Sequence, residues 1–101
     1  NDKPVGCVAL KKLEKDVCEM KRLYTKSKFR GKGFGRQLAI KIIEEAKLAG
    51  YKTMRLDTVS FLKEALSLYY SLGFKQTEAY CFNPRDDVIY MELDLTNLIT
   101  L

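Results

Sequence analysis

The architecture of this chain follows from residues 17–50, which read VCEMKRLYTKSKFRGKGFGRQLAIKIIEEAKLAG. The beginning of this stretch, Val17–Thr25, mixes apolar and polar side chains in alternation, which predicts a strand. From Phe34 onward apolar residues recur at the spacing of an amphipathic helix, and Gly50 is placed to end that helix. The apolar stripe consists of Phe34, Leu38, Ala39, Ile42, Ile43 and Ala46. A strand and a long helix therefore flank the glycine-rich loop Arg30–Gly35 (RGKGFG).

This loop has the properties of an anion site. Glycines let the backbone approach a ligand closely, and the first N–H groups of a helix have no intrahelical partners. Arg30, Lys32 and Arg36 add positive charge around the same point. Residues 21–41 contain eight basic side chains and no acid, whereas the rest of the chain carries ten basic and thirteen acidic ones. We therefore predict that a pyrophosphate or another phosphorylated small molecule docks here.

Other anion-binding motifs fit the loop less well. A Walker A motif places a Lys-Ser or Lys-Thr pair after its last glycine, and here Arg36 and Gln37 follow Gly35. A dinucleotide fold uses G-x-G-x-x-G, whereas Gly31, Gly33 and Gly35 are spaced by two throughout. Nucleic acid would suit a basic patch, although the sequence shows no helix-turn-helix, zinc-finger or aromatic RNA-binding signature. Nucleic-acid binding therefore stays open only as an alternative.

Outward from this region, the sequence predicts a mixed α/β fold with the order β-β-α-β-α-β-β. The other predicted strands are Val5–Leu10, Thr53–Val59, Lys75–Phe82 and Val88–Leu95, with a turn at Lys11–Asp16. A second helix is predicted to begin after Ser60, which serves as its N-cap, and to stop at Gly73. One face of this helix carries Leu62, Ala65, Leu66 and Tyr69 and is expected to pack against the sheet.

Composition restricts the function further. The 101 residues, 47% hydrophobic and 31% charged with a net charge of +5, predict a single soluble domain over residues 1–101. The lack of histidine excludes serine–histidine and cysteine–histidine nucleophile pairs and histidine-ligated zinc. Cys7, Cys18 and Cys81 show no C-x-x-C spacing, so we predict no disulfide framework, no metal site and a cytoplasmic location. No apolar stretch approaches the ~18 residues of a membrane span.

Two separated motifs resemble those of the GNAT superfamily of N-acetyltransferases. The first is R-x-x-G-x-G between a strand and a long helix, at Arg30–Gly35, which is similar to the acetyl-CoA-binding motif of that family. The second is ALSLYYSLGF at Ala65–Phe74, which is similar to a family helix ending in L-Y-x-x-L-G-F. The resemblance covers Val5–Leu95 and implies acetyl-CoA as co-substrate. It also implies acetyl transfer to a primary amine, on a small molecule or a peptide, by direct attack in a ternary complex.

The resemblance also implies roles for single residues. Tyr69 matches the tyrosine that acts as general acid toward the departing thiolate, and Glu19 matches a strand glutamate that acts as general base in some members. Backbone groups of Leu23, Tyr24 and Thr25 would pair with the pantetheine arm of CoA like an added strand. The CoA pyrophosphate would be held by Arg30, Gly31, Lys32, Gly33, Phe34, Gly35 and Arg36.

The sequence departs from the family pattern in two places. An asparagine often begins the second helix and contacts CoA, but Leu62 stands at that position, which weakens one cofactor contact without removing the pyrophosphate site. The opening strand of the family, its two following helices and a further strand have no counterpart here. We therefore expect the chain to lack the N-terminal part of the fold, which usually forms much of the acceptor site. Val5–Leu10 would then be an unpaired apolar edge, which predicts a homodimer.

Simpler structural roles are open for the same residues. Glu19 could be solvated or paired with Lys21 or Arg22, and Tyr69 could be a packed core tyrosine on its apolar stripe. Asp57 is predicted to form a structural ion pair, because a charged arginine alternates with it on the same strand face.

Alternatives to acetyl transfer also remain open at the level of function. A thiol nucleophile is not indicated, because nothing around Cys18 marks it as an activated thiolate. An acyl-CoA-binding remnant without turnover would keep the anion site and bind CoA without transferring acetyl. A basic nucleic-acid-binding module would instead bind DNA or RNA in a salt-sensitive manner without binding CoA.

Overall fold

The structure, a computed structural model, describes residues 6–25 and 34–96 and shows a five-stranded sheet with two helices. The elements are β1 (Gly6–Glu14), β2 (Val17–Thr25), α1 (Phe34–Leu48), β3 (Thr53–Val59), α2 (Lys63–Ser71), β4 (Lys75–Thr77) and β5 (Val88–Asp94). Their order confirms the predicted β-β-α-β-α-β-β arrangement and the mixed α/β class. Neither helix of this described part is long and apolar enough to cross a membrane.

The sheet has the strand order β1-β2-β3-β5-β4. β2 and β3 run parallel because α1 connects them as a crossover, and the other neighbouring strands are antiparallel. β5 is inserted between β3 and β4, so β4 forms one edge of the described sheet. β1 forms the opposite edge, as predicted for the first strand.

The two faces of the sheet differ sharply in polarity. One face and both helices form a single apolar cluster. Its members from the sheet and α1 include Cys18, Met20, Met54, Leu56, Met91, Leu93, Ala39, Ile42, Ile43 and Ala46. Strand residues alternate between faces, so the register places Glu19, Arg55 and Glu92 side by side on the other face. One face therefore holds the core, and the opposite face is charged.

Each helix ends at a glycine in the left-handed region of backbone conformation. Gly50 has φ +93° and Gly73 has φ +102°, values that side chains with a Cβ rarely adopt. After Gly50 the N–H of Tyr51 donates to the Ala46 carbonyl at 3.1 Å, the capping bond of a Schellman motif. The prediction that the helices end at these glycines is confirmed.

The lengths of two strands differ from the prediction. β1 continues through residues 11–14, and only Lys15 and Asp16 form the turn. The charged residues are accommodated because Lys11 and Lys12 lie exposed on an edge strand. β4 ends at Thr77 instead of continuing to residue 82, because its pairing with β5 ends there and the chain turns over the charged face.

The start of α2 also differs from the prediction. Ser60 does not cap the helix, because its N–H donates to the Asp87 carbonyl at 2.9 Å and an extra turn follows. Leu62 occupies the N-cap position and offers no side-chain cap. The helix begins at Lys63, so the predicted start at Ser60 is wrong.

Candidate active site

β2 and β3 separate from each other part-way along the sheet. They pair over only three residue pairs, from Val17↔Thr53 to Glu19↔Arg55. Beyond that point each strand continues along its outer neighbour, β2 along β1 and β3 along β5. The facing edges open into a gap, here called the strand gap, where backbone groups lack a strand partner among the described residues. An extended ligand can pair with such an edge as an added strand.

β2 is irregular beside the strand gap. Cys7 and Ala9 of β1 face Tyr24 and Lys21 of β2, so three steps along β2 match two steps along β1. The additional residue is a β-bulge, a feature that re-aims backbone groups and is frequent next to functional sites. It falls on the part of β2 for which pairing with the pantetheine arm is predicted.

Tyr69 lines a cleft of about 400 Å³ at the strand gap, here called the Tyr69 cleft. The residue is only 7% exposed, and its ring packs edge-to-face against Phe74 with 5.7 Å between centroids. Burial, helped by the negative charge of Asp57, raises the pKa of Tyr69 to about 12. The hydroxyl therefore keeps its proton at neutral pH. Tyr70, the next residue, is 51% exposed, as the apolar stripe predicts.

Glu19 lies on the charged face of the sheet, at the last pair before the strand gap. It is 4% exposed, which is unusual for a carboxylate. The Tyr80 hydroxyl donates a 2.5 Å hydrogen bond to Oε2 of Glu19, and Nζ of Lys21 lies 3.8 Å from Oε1. These partners compensate for lost solvation. The pairing with Lys21 that the sequence offered as an alternative is thus present, alongside a tyrosine partner.

Glu19, Lys21 and Tyr80 line a second cleft of about 380 Å³, here called the Glu19 cleft. Its other walls are Lys11, Leu13, Glu14, Arg55 and Cys81. Lys21 borders both clefts, so the two are neighbours beside the strand gap. A proton acceptor in one cleft and a proton donor in the other can therefore serve a reaction that takes place between them.

Arg55 forms ion pairs across the charged face. Its Nε donates to Oε1 of Glu92 at 3.2 Å, directly across the β3–β5 ladder, and its Nη1 lies 3.9 Å from Oε2 of Glu14. Asp57 makes no ion pair with any residue of the described ranges, so its predicted structural ion pair is wrong for this part of the chain. Its charge acts on Tyr69 instead.

Part of the predicted cofactor segment is described. Arg30, Gly31, Lys32 and Gly33 lie outside the described residues. The backbone of Leu23, Tyr24 and Thr25 forms the end of β2, where the strand gap is open. Phe34, Gly35 and Arg36 are the first residues of α1, so their N–H groups are among those without helical partners.

A hydrogen bond joins the start of α1 to α2, and the two helices lie close together there. A Cβ added to Gly35 would lie 3.9 Å from Cδ2 of Leu68, which is an ordinary van der Waals distance. Nη1 of Arg36 donates to Oγ of Ser71 at 2.7 Å, and that hydroxyl donates to the Leu68 carbonyl at 2.7 Å. The N-terminus of α1 is thereby positioned beside the helix that carries Tyr69.

Cys18 is a buried thiol, not a nucleophile. Burial raises the pKa of Cys18 to about 11, and its Sγ donates to the Thr53 carbonyl at 3.6 Å. At neutral pH the thiol stays protonated, and only the thiolate attacks. The prediction that Cys18 is not an activated thiolate is confirmed.

Two residues of the Glu19 cleft, Tyr80 and Arg55, are absent from the site predicted by sequence analysis. The hydrogen bond from Tyr80 to Glu19 joins residues 61 positions apart, and no local pattern signals it. Arg55 faces Glu19 only through the register of β2 and β3, which the sequence does not specify.

The comparison with protein families gives a direct match. The model of the Acetyltransferase (GNAT) family matches residues 1–74, which include the loop Arg30–Gly35 and Tyr69. The chain belongs to the GNAT family. This GNAT chain is 43% identical over 93 residues to an uncharacterised N-acetyltransferase of Schizosaccharomyces pombe, a match that covers 91% of this chain and 57% of that protein. It therefore spans little more than half the length of that relative.

Two further proteins are similar to this GNAT chain. The N-acetylaspartate synthetase of Xenopus tropicalis is 42% identical over 74 residues, which cover 72% of this chain and 27% of that protein. The crystal structure of a Bacillus subtilis acetyltransferase in complex with CoA superimposes with a TM-score of 0.80 at 27% identity, covering 92% of this chain and 70% of that one. The predicted GNAT fold is therefore confirmed.

Proposed function

We propose that this GNAT chain transfers the acetyl group of acetyl-CoA to a primary amine by direct attack in a ternary complex. The observation that carries the proposal is the strand gap, which has the buried Tyr69 hydroxyl on one side and the buried Glu19 carboxylate on the other. The family match and the CoA complex of the Bacillus subtilis structure support the choice of acetyl-CoA. The acceptor is an amine of a small molecule or a peptide.

Acetyl-CoA would bind along the strand gap. The pantetheine arm pairs with backbone groups of Leu23, Tyr24 and Thr25, whose side facing β3 is open. The pyrophosphate is held at the N-terminus of α1, where Gly35 and Arg36 join the basic loop before them. The hydrogen bond from Arg36 to Ser71 keeps the start of α1 beside the helix that carries Tyr69.

The chemical step then needs one base and one acid. Glu19 removes a proton from the acceptor ammonium, directly or through a water, and the freed amine attacks the thioester carbonyl. A strand N–H of β2 stabilises the oxyanion, and the bulge supplies a candidate backbone group. As the C–S bond breaks, the Tyr69 hydroxyl gives its proton to the departing thiolate, and the surplus proton of the attacking nitrogen returns through water to Tyr69. Tyr80 is a positioning residue, since its hydroxyl fixes one oxygen of Glu19.

The proposed function is tested with the purified chain, acetyl-CoA and a panel of primary amines. The panel includes aspartate, because the name of one relative indicates aspartate acetylation, as well as peptides and uncharged amines. Release of the CoA thiol together with an acetylated product of matching mass would support transfer. Binding of CoA with no product from any amine would support the remnant instead, and salt-sensitive binding of DNA or RNA without CoA binding would support the nucleic-acid module.

Gly35→Ala tests the anion site at the start of α1. The added methyl would lie at an ordinary van der Waals distance from Leu68, so the variant is expected to fold as the wild-type chain does. A pyrophosphate held against the backbone would lose its close approach. We expect acetyl-CoA affinity to fall tenfold or more, about 1.4 kcal/mol, in a calorimetric titration. Unchanged affinity in the folded variant would contradict this placement of the pyrophosphate.

We also propose that the chain works in the cytoplasm as a homodimer. Cys18 and Cys81 are free thiols, which fits a reducing compartment. β1 is an edge of the described sheet. The exposed charges of Lys11 and Lys12 disfavour strand pairing along its second half, so pairing between two copies would use residues 6–10. Light scattering at micromolar concentration is expected to give the mass of two chains, and the mass of one chain would rule the dimer out.

A further inference from the structure

Arg55 is held rigidly in the Glu19 cleft. Its Nε donates to Oε1 of Glu92 at 3.2 Å, and its guanidinium carbon lies 5.7 Å from the ring centroid of Tyr80. Glu92 holds the near end of the guanidinium and Tyr80 covers one of its faces, so these two contacts orient its plane. Arg55 is thus pre-organised in the cleft that also contains the proposed base.

The outer edge of the same guanidinium is weakly engaged. Among the described residues its terminal nitrogens have one charged neighbour, Oε2 of Glu14, at 3.9 Å from Nη1. The Glu14 side chain is 66% exposed, and an ion pair of that length at the surface contributes little to stability. A ligand carboxylate can therefore displace Glu14 and form two parallel hydrogen bonds with the guanidinium edge, the geometry that arginine favours.

Arg55 and Glu19 lie next to each other, so one small ligand can contact both side chains. They are direct partners in the β2–β3 ladder, and neighbouring strands lie about 4.8 Å apart. Both side chains point to the charged face and line one cleft. An ammonium group needs the negative Glu19, whereas a carboxylate needs the positive Arg55, with Lys11 and Lys21 adding positive charge to the same walls. The cleft is therefore complementary to a zwitterion.

We infer that the acceptor is a small amino-carboxylate whose amine lies at Glu19 and whose carboxylate pairs with Arg55. The inference rests on the proposed acetyl transfer and specifies its acceptor class. Arg55 would determine specificity without taking part in the proton transfers. It binds a part of the acceptor that does not react, so its loss should weaken acceptor binding more than it slows the chemical step.

The test compares matched acceptors and matched variants. Each of several α-amino acids, and β-alanine, is assayed beside its own amide, which keeps the amine and removes the negative charge. Arg55→Gln is expected to raise the KM for the amino acids at least tenfold and to leave the KM for the amides and for acetyl-CoA within twofold. Arg55→Lys, which keeps the charge without the planar fork, should fall between. Lys12→Gln removes the same charge from an exposed side chain outside the cleft and should behave as wild type.

The outcomes separate the acceptor class from the reaction itself. Equal use of amino acids and amides by the wild-type chain, or equal losses for both in Arg55→Gln, would overturn the acceptor class and leave acetyl transfer standing. If no amine is acetylated, the proposed function fails, and calorimetry of the same amino acids in the presence of CoA decides the binding inference. Binding that Arg55→Gln abolishes would support it, and lack of binding to the wild-type chain would overturn it.

Discussion

Replacing Tyr69 with phenylalanine is expected to lower kcat about 100-fold and to leave the affinity for acetyl-CoA nearly unchanged. The ring stays in place against Phe74, so packing is preserved and only the hydroxyl is lost. That hydroxyl is the proposed proton donor to the departing thiolate. Since burial and Asp57 raise the pKa of Tyr69 to about 12, the proposed activity of the wild-type chain should not fall through Tyr69 ionisation between pH 8 and 10. Steady-state rates of CoA release with a saturating acceptor measure both effects.

Tyr70→Phe provides the matched control for this experiment. The two tyrosines are neighbours on α2, but Tyr70 is 51% exposed and Tyr69 is 7% exposed. Tyr70→Phe is therefore expected to keep kcat and acetyl-CoA affinity within twofold of wild type. If both variants lose the same activity, or if Tyr70→Phe is the damaged one, the assignment of Tyr69 as the acid is wrong.

Glu19→Gln is expected to reduce kcat/KM for the amine 100-fold or more at neutral pH, because an amide cannot accept the proton of the ammonium. The shape of the side chain and an oxygen for the Tyr80 hydrogen bond are retained, so folding should be little affected. The activity of the variant should rise with pH as solution deprotonates the amine in place of Glu19. A pH profile of kcat/KM from pH 6 to 10 measures this dependence.

The control for Glu19 is an acid of the same kind placed away from the clefts. Glu45 is exposed on α1, and Glu45→Gln should match the wild-type profile throughout. A purely structural Glu19 would give a different result. In that case Glu19→Gln would lower the melting temperature and keep kcat/KM within a few fold at every pH, which would exclude the base role.

Local patterns predicted the helices better than the strands at the edges. The stripe on α1 and the glycines after both helices are features of a few neighbouring residues, so Gly50 and Gly73 could be identified without the fold. Strand length depends on the partner: β1 extends through lysines because β2 pairs with it, and β4 stops after Thr77 because pairing with β5 ends. The strand pattern over residues 75–82 could not show that the pairing of β4 with β5 ends after Thr77.

Motifs and periodicity within about ten residues were enough to predict the family, the order of the elements and the burial of Tyr69 rather than Tyr70. The assembly of the Glu19 cleft depends instead on contacts between distant parts of the chain. The short β2–β3 ladder places Glu19 beside Arg55. Tyr80, in the segment after β4, hydrogen-bonds to Glu19 although the two residues are 61 positions apart in the sequence. Strand register and contacts between residues distant in sequence depend on the packing of the whole sheet, since many strand pairings satisfy the same local pattern.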